Sequence, residues 1–147
     1  MNEKAVGRAI KASGLPREQV FLETKLWPSF YEQEDAVKKT LERLGTDYID
    51  LLLIHQPAGN YLAGYRLMEK AYKAGKVRAI GLSNFTAEQV QEILDKCEVK
   101  PAVLIACGTS RRRPFQVLPG PNKKDTHLGV FFVFMGQAGL EPATKRL

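Results

Sequence analysis

Four short runs rich in apolar and β-branched residues, Val20–Thr24, Tyr48–Ile54, Val77–Leu82 and Ala102–Ile105, begin 28, 29 and 25 residues apart. Between them lie segments with a different period. Ala36, Val37, Thr40, Leu41 and Leu44 recur at three- and four-residue steps within Glu32–Leu44. Leu67, Met68, Ala71 and Tyr72 do so within Leu62–Ala74, and Val90, Ile93, Leu94 and Cys97 within Ala87–Cys97. An opening helix over about Glu3–Ala12 places Val6, Ala9 and Ile10 on one face. Thr86 followed by Gln89 has capping-box spacing, and Gly14, Gly45 and Gly75 stand where helix C-caps fall. Strands alternating with helices in this way predict βαβ units and a parallel sheet. The near-continuous apolar strands suit a sheet covered on both faces. A closed (β/α)8 barrel needs eight such units and about 250 residues. Four are visible here, so the expected fold class is α/β, a partial (β/α)8 barrel of about four βα units.

Charge divides the chain into two expected regions. Residues 1–106 carry 15 basic and 14 acidic side chains, whereas residues 107–147 carry 7 basic and 2 acidic ones. The excess is confined to the end, so the body is not a polyanion-binding surface by charge. Arg111–Arg113, Pro119-Gly120-Pro121 and Lys123-Lys124 fall in the second region, and no fifth strand–helix repeat follows. One short strand near Val130–Phe134 is the most its pattern allows, and disorder is the expectation for 107–147. Nucleic-acid contact through this basic stretch ranks last among the partners considered. No apolar run approaches the roughly 20 residues of a membrane helix, and no secretory signal opens the chain. Cys97 and Cys107 form neither a disulfide framework nor a zinc pattern, so the cytoplasm is the expected compartment and no metal is expected.

In parallel α/β folds, reactive groups collect at the carboxyl ends of the strands. Reading past each run finds Lys25, then His55, then Ser83-Asn84. Each has an ordinary explanation. A lysine there is usually solvated, a lone histidine usually packs, and Ser-Asn before Phe85-Thr86 can be a turn leading into a helix cap. Three successive repeats delivering a polar group to one rim is the more informative fact. A neutral histidine can orient or protonate an oxygen, a lysine cation can lower the pKa of a neighbouring acid, and Ser and Asn together offer donor and acceptor to an amide. Trp27 is either a pocket wall or packing at the edge of the core. There is no GxGxxG and no Walker loop.

At these residues the sequence resembles the aldo-keto reductase family. The resemblance rests on Asn2-Glu3 with Val6-Gly7, on Thr24-Lys25-Leu26-Trp27, and on Leu44-Gly45-Thr46-Asp47-Tyr48-Ile49-Asp50-Leu51 running to Ile54-His55-Gln56-Pro57. Gly75-Lys76-Val77-Arg78-Ala79-Ile80-Gly81 and Ser83-Asn84-Phe85 complete it, in the family's order over residues 2–103. It implies a (β/α)8 barrel that reduces small carbonyl substrates, aldehydes and ketones, with NADPH and without a Rossmann domain. It implies that Lys25 and His55 are two members of a Tyr-Lys-His-Asp catalytic set, that Ser83 and Asn84 hold the nicotinamide carboxamide, and that Trp27 lines the substrate pocket. The family's Asp and Tyr lie just upstream of Asn-Glu, and Leu104-Ile105-Ala106-Cys107 stands where the family reads Asn-Gln, an apolar residue and Glu. The 2′-phosphate-binding strands have no counterpart in residues 108–147. The expectation is therefore a truncated, catalytically incomplete reductase, joined near residue 104 to a sequence of other origin. Open strand edges would favour self-association.

Overall fold

The computed structural model describes residues 2–105. The expectations for residues 107–147, including a strand near Val130–Phe134, lie outside them. Helix α1 (Glu3–Ser13) is followed by strand β1 (Glu23–Leu26), helix α2 (Ala36–Leu44), strand β2 (Ile49–Ile54), helix α3 (Tyr61–Lys73), strand β3 (Val77–Ser83), helix α4 (Ala87–Lys96) and strand β4 (Val103–Ile105). The four strands form one sheet in the order β1-β2-β3-β4, with every neighbouring pair parallel. Consecutive strands are thus adjacent in space and each link is a helical crossover, as the spacing of the apolar runs predicts.

The pairing register sorts the strand residues onto two faces, because side chains alternate along a strand. Lys25 pairs with Leu53, Leu53 with Gly81 and Gly81 with Val103, so these four form a row on one face. Leu26, Ile54, Leu82 and Leu104 form the row on the opposite face. That second row joins the main core with Leu41 and Leu44 of α2, Tyr65 and Met68 of α3 and Ile93 of α4. All six residues of β2 are buried, including Leu51 and Leu53, which lie on the face away from that core.

Several local signals act as the sequence indicates. Gly14, Gly45 and Gly75 have φ of 69°, 65° and 70°, in the left-handed region where glycine carries no Cβ penalty. The Thr86 hydroxyl accepts from the Gln89 N–H, while the Gln89 side chain accepts from the Thr86 N–H, closing the capping box. The stripe of α2 is buried as expected.

Two expectations need correction. The first strand is Glu23–Leu26 rather than Val20–Thr24, because its register against β2 begins at Glu23 opposite Leu51. A 3₁₀ turn at Arg17–Gln19 occupies the chain just before Val20. In α3 the buried residues are Gly64, Tyr65, Met68 and Glu69, and Tyr72 is exposed. Glu69 faces inward because its carboxylate accepts the Val99 N–H at 2.7 Å, a partner that a count of apolar residues does not reveal.

Gly7 is needed for space rather than for conformation. A Cβ built there would lie 2.2 Å from the Leu44 carbonyl oxygen, where α1 crosses the end of α2. Backbone on both sides leaves little room to yield. Gly7→Ala is expected to cost about 1–3 kcal/mol of stability, read as a lower urea midpoint at unchanged slope. An unchanged midpoint would mean the two helices do not cross at this distance.

Candidate active site

The strand alternation that buries Leu26 turns Lys25 toward the opposite face, and extending the same alternation places Trp27 and His55 one step beyond the Lys25–Leu53 row. Trp27 follows β1 and His55 follows β2, with the His55 N–H donating to the Leu26 carbonyl at 3.0 Å. Lys25, Trp27 and His55 line a common pocket of about 390 Å³ together with Asn2, Glu3, Glu23 and Thr24. A second concavity, about 510 Å³, runs along α4 past Glu88, Glu92 and Lys96 and contains none of the strand-end groups.

The imidazole of His55 stacks on the indole of Trp27, with ring centroids 4.2 Å apart and planes 17° from parallel. Such aromatic pairs contribute about 0.5–1.5 kcal/mol beyond the area they bury. Nδ1 of His55 is buried without a hydrogen-bond partner. A buried N–H lacking an acceptor is rarer and costlier than a bare lone pair, which assigns the proton of the neutral ring to Nε2. Burial, and then the nearby Lys25 charge, hold the imidazole pKa below its ordinary value of 6.5. The folded ring therefore resists protonation. As pH falls through 6.5 the unfolded chain binds a proton first, and stability falls with it. The Lys25 side chain forms no ion pair or hydrogen bond among the described residues. Its cation is left to act on whatever enters the pocket.

Ser83, the last residue of β3, is buried, and Asn84 follows it at φ 64°. Asparagine is among the few non-glycine residues that tolerate this region. The Asn84 N–H donates to the Ile105 carbonyl at 2.8 Å, and its side-chain amide lies 3.2 Å from Ser83 Oγ and 3.4 Å from the His55 carbonyl oxygen. Lys25, Trp27 and His55 thus share one pocket, while Asn84 reaches the His55 carbonyl and Ser83 bonds to Asn84.

Sequence reasoning missed the residues that support this rim. The Tyr31 hydroxyl donates to the Gln56 carbonyl at 2.8 Å and accepts the Gln56 N–H at 3.3 Å, fixing the residue after His55. Glu3, which also lines the pocket, is ion-paired with Arg43. A tyrosine four residues past a strand-end tryptophan was the available signal, but a single sequence does not mark it. Asp50, near the start of β2, is a buried ionic hub. Its carboxylate accepts from Arg17 at 2.8 Å, from Arg78 at 3.1 Å and from the Leu22 N–H at 3.0 Å.

A parallel α/β sheet with crossover helices holds a lysine and a histidine in one pocket that runs along its edge strand β1. Comparison with known proteins identifies the family. The family model described as the aldo/keto reductase family matches residues 1–107. An aldo-keto reductase of Mycobacterium avium (strain 104) is 46% identical over 108 residues, covering 69% of this chain and 38% of the relative. The glyoxal reductase of Bacillus subtilis (strain 168) is 46% identical over 106 residues, with the same coverage of 69% and 38%. An aldo-keto reductase from a Medee basin deep-sea metagenome library superposes with a TM-score of 0.69 at 44% identity, covering 73% of this chain and 41% of that one. A Bombyx mori aldo-keto reductase in complex with NADP gives a TM-score of 0.65 at 33% identity, covering 73% and 40%. The chain belongs to the aldo/keto reductase family, and its described part is a partial (β/α)8 barrel. It spans 38% of the length of these curated relatives. Among the described residues no helix is long and apolar enough to cross a membrane.

Proposed function

We propose that this chain carries the lysine–histidine half of a carbonyl-reduction site, and the clasp for the nicotinamide end of NADPH. The observation that carries the reading is the convergence of Lys25, His55 and Trp27 on one pocket, with Ser83 and Asn84 next to the His55 backbone. The likeness to a glyoxal reductase favours a small aldehyde or ketone as substrate.

The residues present fit the amide end of such a cofactor. Ser83 Oγ and the Asn84 side chain offer donor and acceptor groups on one turn, which is what a carboxamide requires. When bound, the cofactor supplies a hydride. The remaining work falls to this chain's residues. His55, held neutral with its proton on Nε2, donates a hydrogen bond to a carbonyl oxygen and so orients and polarises it. Lys25 stabilises negative charge that develops on that oxygen. Trp27 walls the pocket and limits water.

The test uses Trp27, the sole tryptophan of the chain, as an optical probe of the pocket. Titration with NADPH, and separately with reduced nicotinamide mononucleotide, is expected to change its fluorescence saturably. Ser83→Ala and Asn84→Gly, the latter keeping the positive φ inexpensive, are each expected to weaken that response roughly 3- to 10-fold, the worth of one hydrogen bond. Fluorescence indifferent to both ligands would refute the cofactor assignment.

A further inference from the structure

We propose that Trp27 is a positioning residue for His55: its indole lies flat on the imidazole and fixes the direction in which the ring meets the pocket. The inference rests on reading His55 as the group that faces a carbonyl oxygen.

The first support is what the imidazole lacks. Its Nδ1 is buried without a partner, and no side-chain hydrogen bond to the ring forms among the described residues. Bonds at His55 N and at Gln56 hold the backbone and do not themselves set rotation about the Cβ–Cγ bond. The indole, 4.2 Å away and nearly parallel, is the contact that defines the ring plane. A hydrogen bond from an imidazole N–H is made in that plane, so the plane sets where an acceptor must lie.

The second support is how Trp27 is itself held. It stands directly before Pro28, and its backbone is extended, at φ −83° and ψ 152°, as a residue preceding proline must be. The Phe30 N–H donates to its carbonyl at 2.9 Å, closing the 3₁₀ turn Pro28–Phe30. The side chain thus projects from a stiffened base. The third support is exposure. Trp27 is 46% exposed, whereas Tyr31, Tyr65 and Phe85 are all buried. A ring this open contributes little to the core, yet it covers one face of the histidine.

The experiment is side-chain NMR relaxation on the full 147-residue chain with labelled histidine. The chain has only two histidines, so His55→Gln assigns the signals. In the parent chain the His55 imidazole is expected to show a high order parameter and cross-peaks to the indole. Trp27→Ala is expected to lower that order parameter, Trp27→Phe to restore it, and Trp27→Leu, which fills space without a flat ring, to leave it low. A ring as ordered in Trp27→Ala as in the parent would overturn the proposal. So would equal order in the Phe and Leu variants, and that comparison decides the matter even if the alanine variant does not fold. Carbonyl reduction supplies a second readout, in which Trp27→Ala lowers kcat with little change in KM. A rigid stack in a chain that ignores NADPH would sink the functional reading and leave only the Trp27–His55 contact standing.

Discussion

Asp50→Ala is expected to destabilise the chain by about 3–5 kcal/mol, the range found when one partner of a buried ion pair is removed. The carboxylate is buried and joins two segments far apart in sequence: Arg17 and the Leu22 N–H before β1, and Arg78 at the start of β3. Arg17 and Arg78 also lie over the Tyr48 ring, at 4.0 Å and 3.9 Å from its centroid. Without Asp50, two cations face one ring with no counter-charge between them, and a buried N–H loses its acceptor. Most of the loss falls on Arg17, whose side chain is 20% exposed; that of Arg78, at 56%, stays largely hydrated. With total stabilities of 5–15 kcal/mol typical of single domains, about 3–5 kcal/mol is enough to leave a large unfolded fraction. Urea unfolding measures it, and Asp50→Asn, which keeps the shape and drops the charge, is expected to cost less. A loss under about 1 kcal/mol, the scale of an exposed pair, would show that the hub is hydrated rather than buried. Asp50 opens β2 whereas His55 follows it, so the hub secures the amino ends of the strands and leaves the chemistry at the other rim.

The second large effect concerns turnover. The 147-residue chain, given NADPH and a small aldehyde, is expected to reduce it some 10²–10⁴-fold more slowly than a site equipped with a general acid. The reason lies in where its tyrosines sit. Tyr31 is bonded to Gln56, Tyr61 to Glu92 and Tyr65 to the Val99 carbonyl, while Tyr48 is sandwiched between two arginines. Tyr72 lies exposed on α3. None of the five lines the pocket with Lys25 and His55. Burial pushes the Tyr31 and Tyr65 hydroxyls up, and the Glu92 carboxylate does the same to Tyr61, so each is a poorer acid than a free phenol. The measurement is the loss of NADPH absorbance with time. Turnover within about tenfold of a site that carries such an acid would contradict this expectation.

Strand order and crossover pattern are legible in the sequence because they come from spacing: four apolar runs, each separated by one helix of the right period. Register is less legible. The apolar residues Val20–Leu22 look like the beginning of a strand, yet pairing starts at Glu23, because hydrogen bonds to β2 rather than local propensity fix it. That shift puts Lys25 within the strand instead of after it, with its neighbour Leu26 in the core. The buried face of α3 escapes a reading based on apolarity, since Gly64 is chosen for contact with the Tyr31 ring and Glu69 for a backbone N–H. That His55, Ser83 and Asn84 stand at the carboxyl ends of β2 and β3 is legible, because parallel topology gathers those ends at one rim. The stack of Trp27 on His55, the Tyr31 bonds to Gln56 and the Asp50 hub are contacts between segments, and a single sequence carries no record of them.

Lys25 and His55 line the same pocket. NMR titration of the His55 imidazole in the full chain, beside Lys25→Met, tests it most directly. The midpoint is expected below the ordinary imidazole value of 6.5, moving upward when the lysine charge is removed. A midpoint at or above 6.5 that ignores the substitution would contradict it.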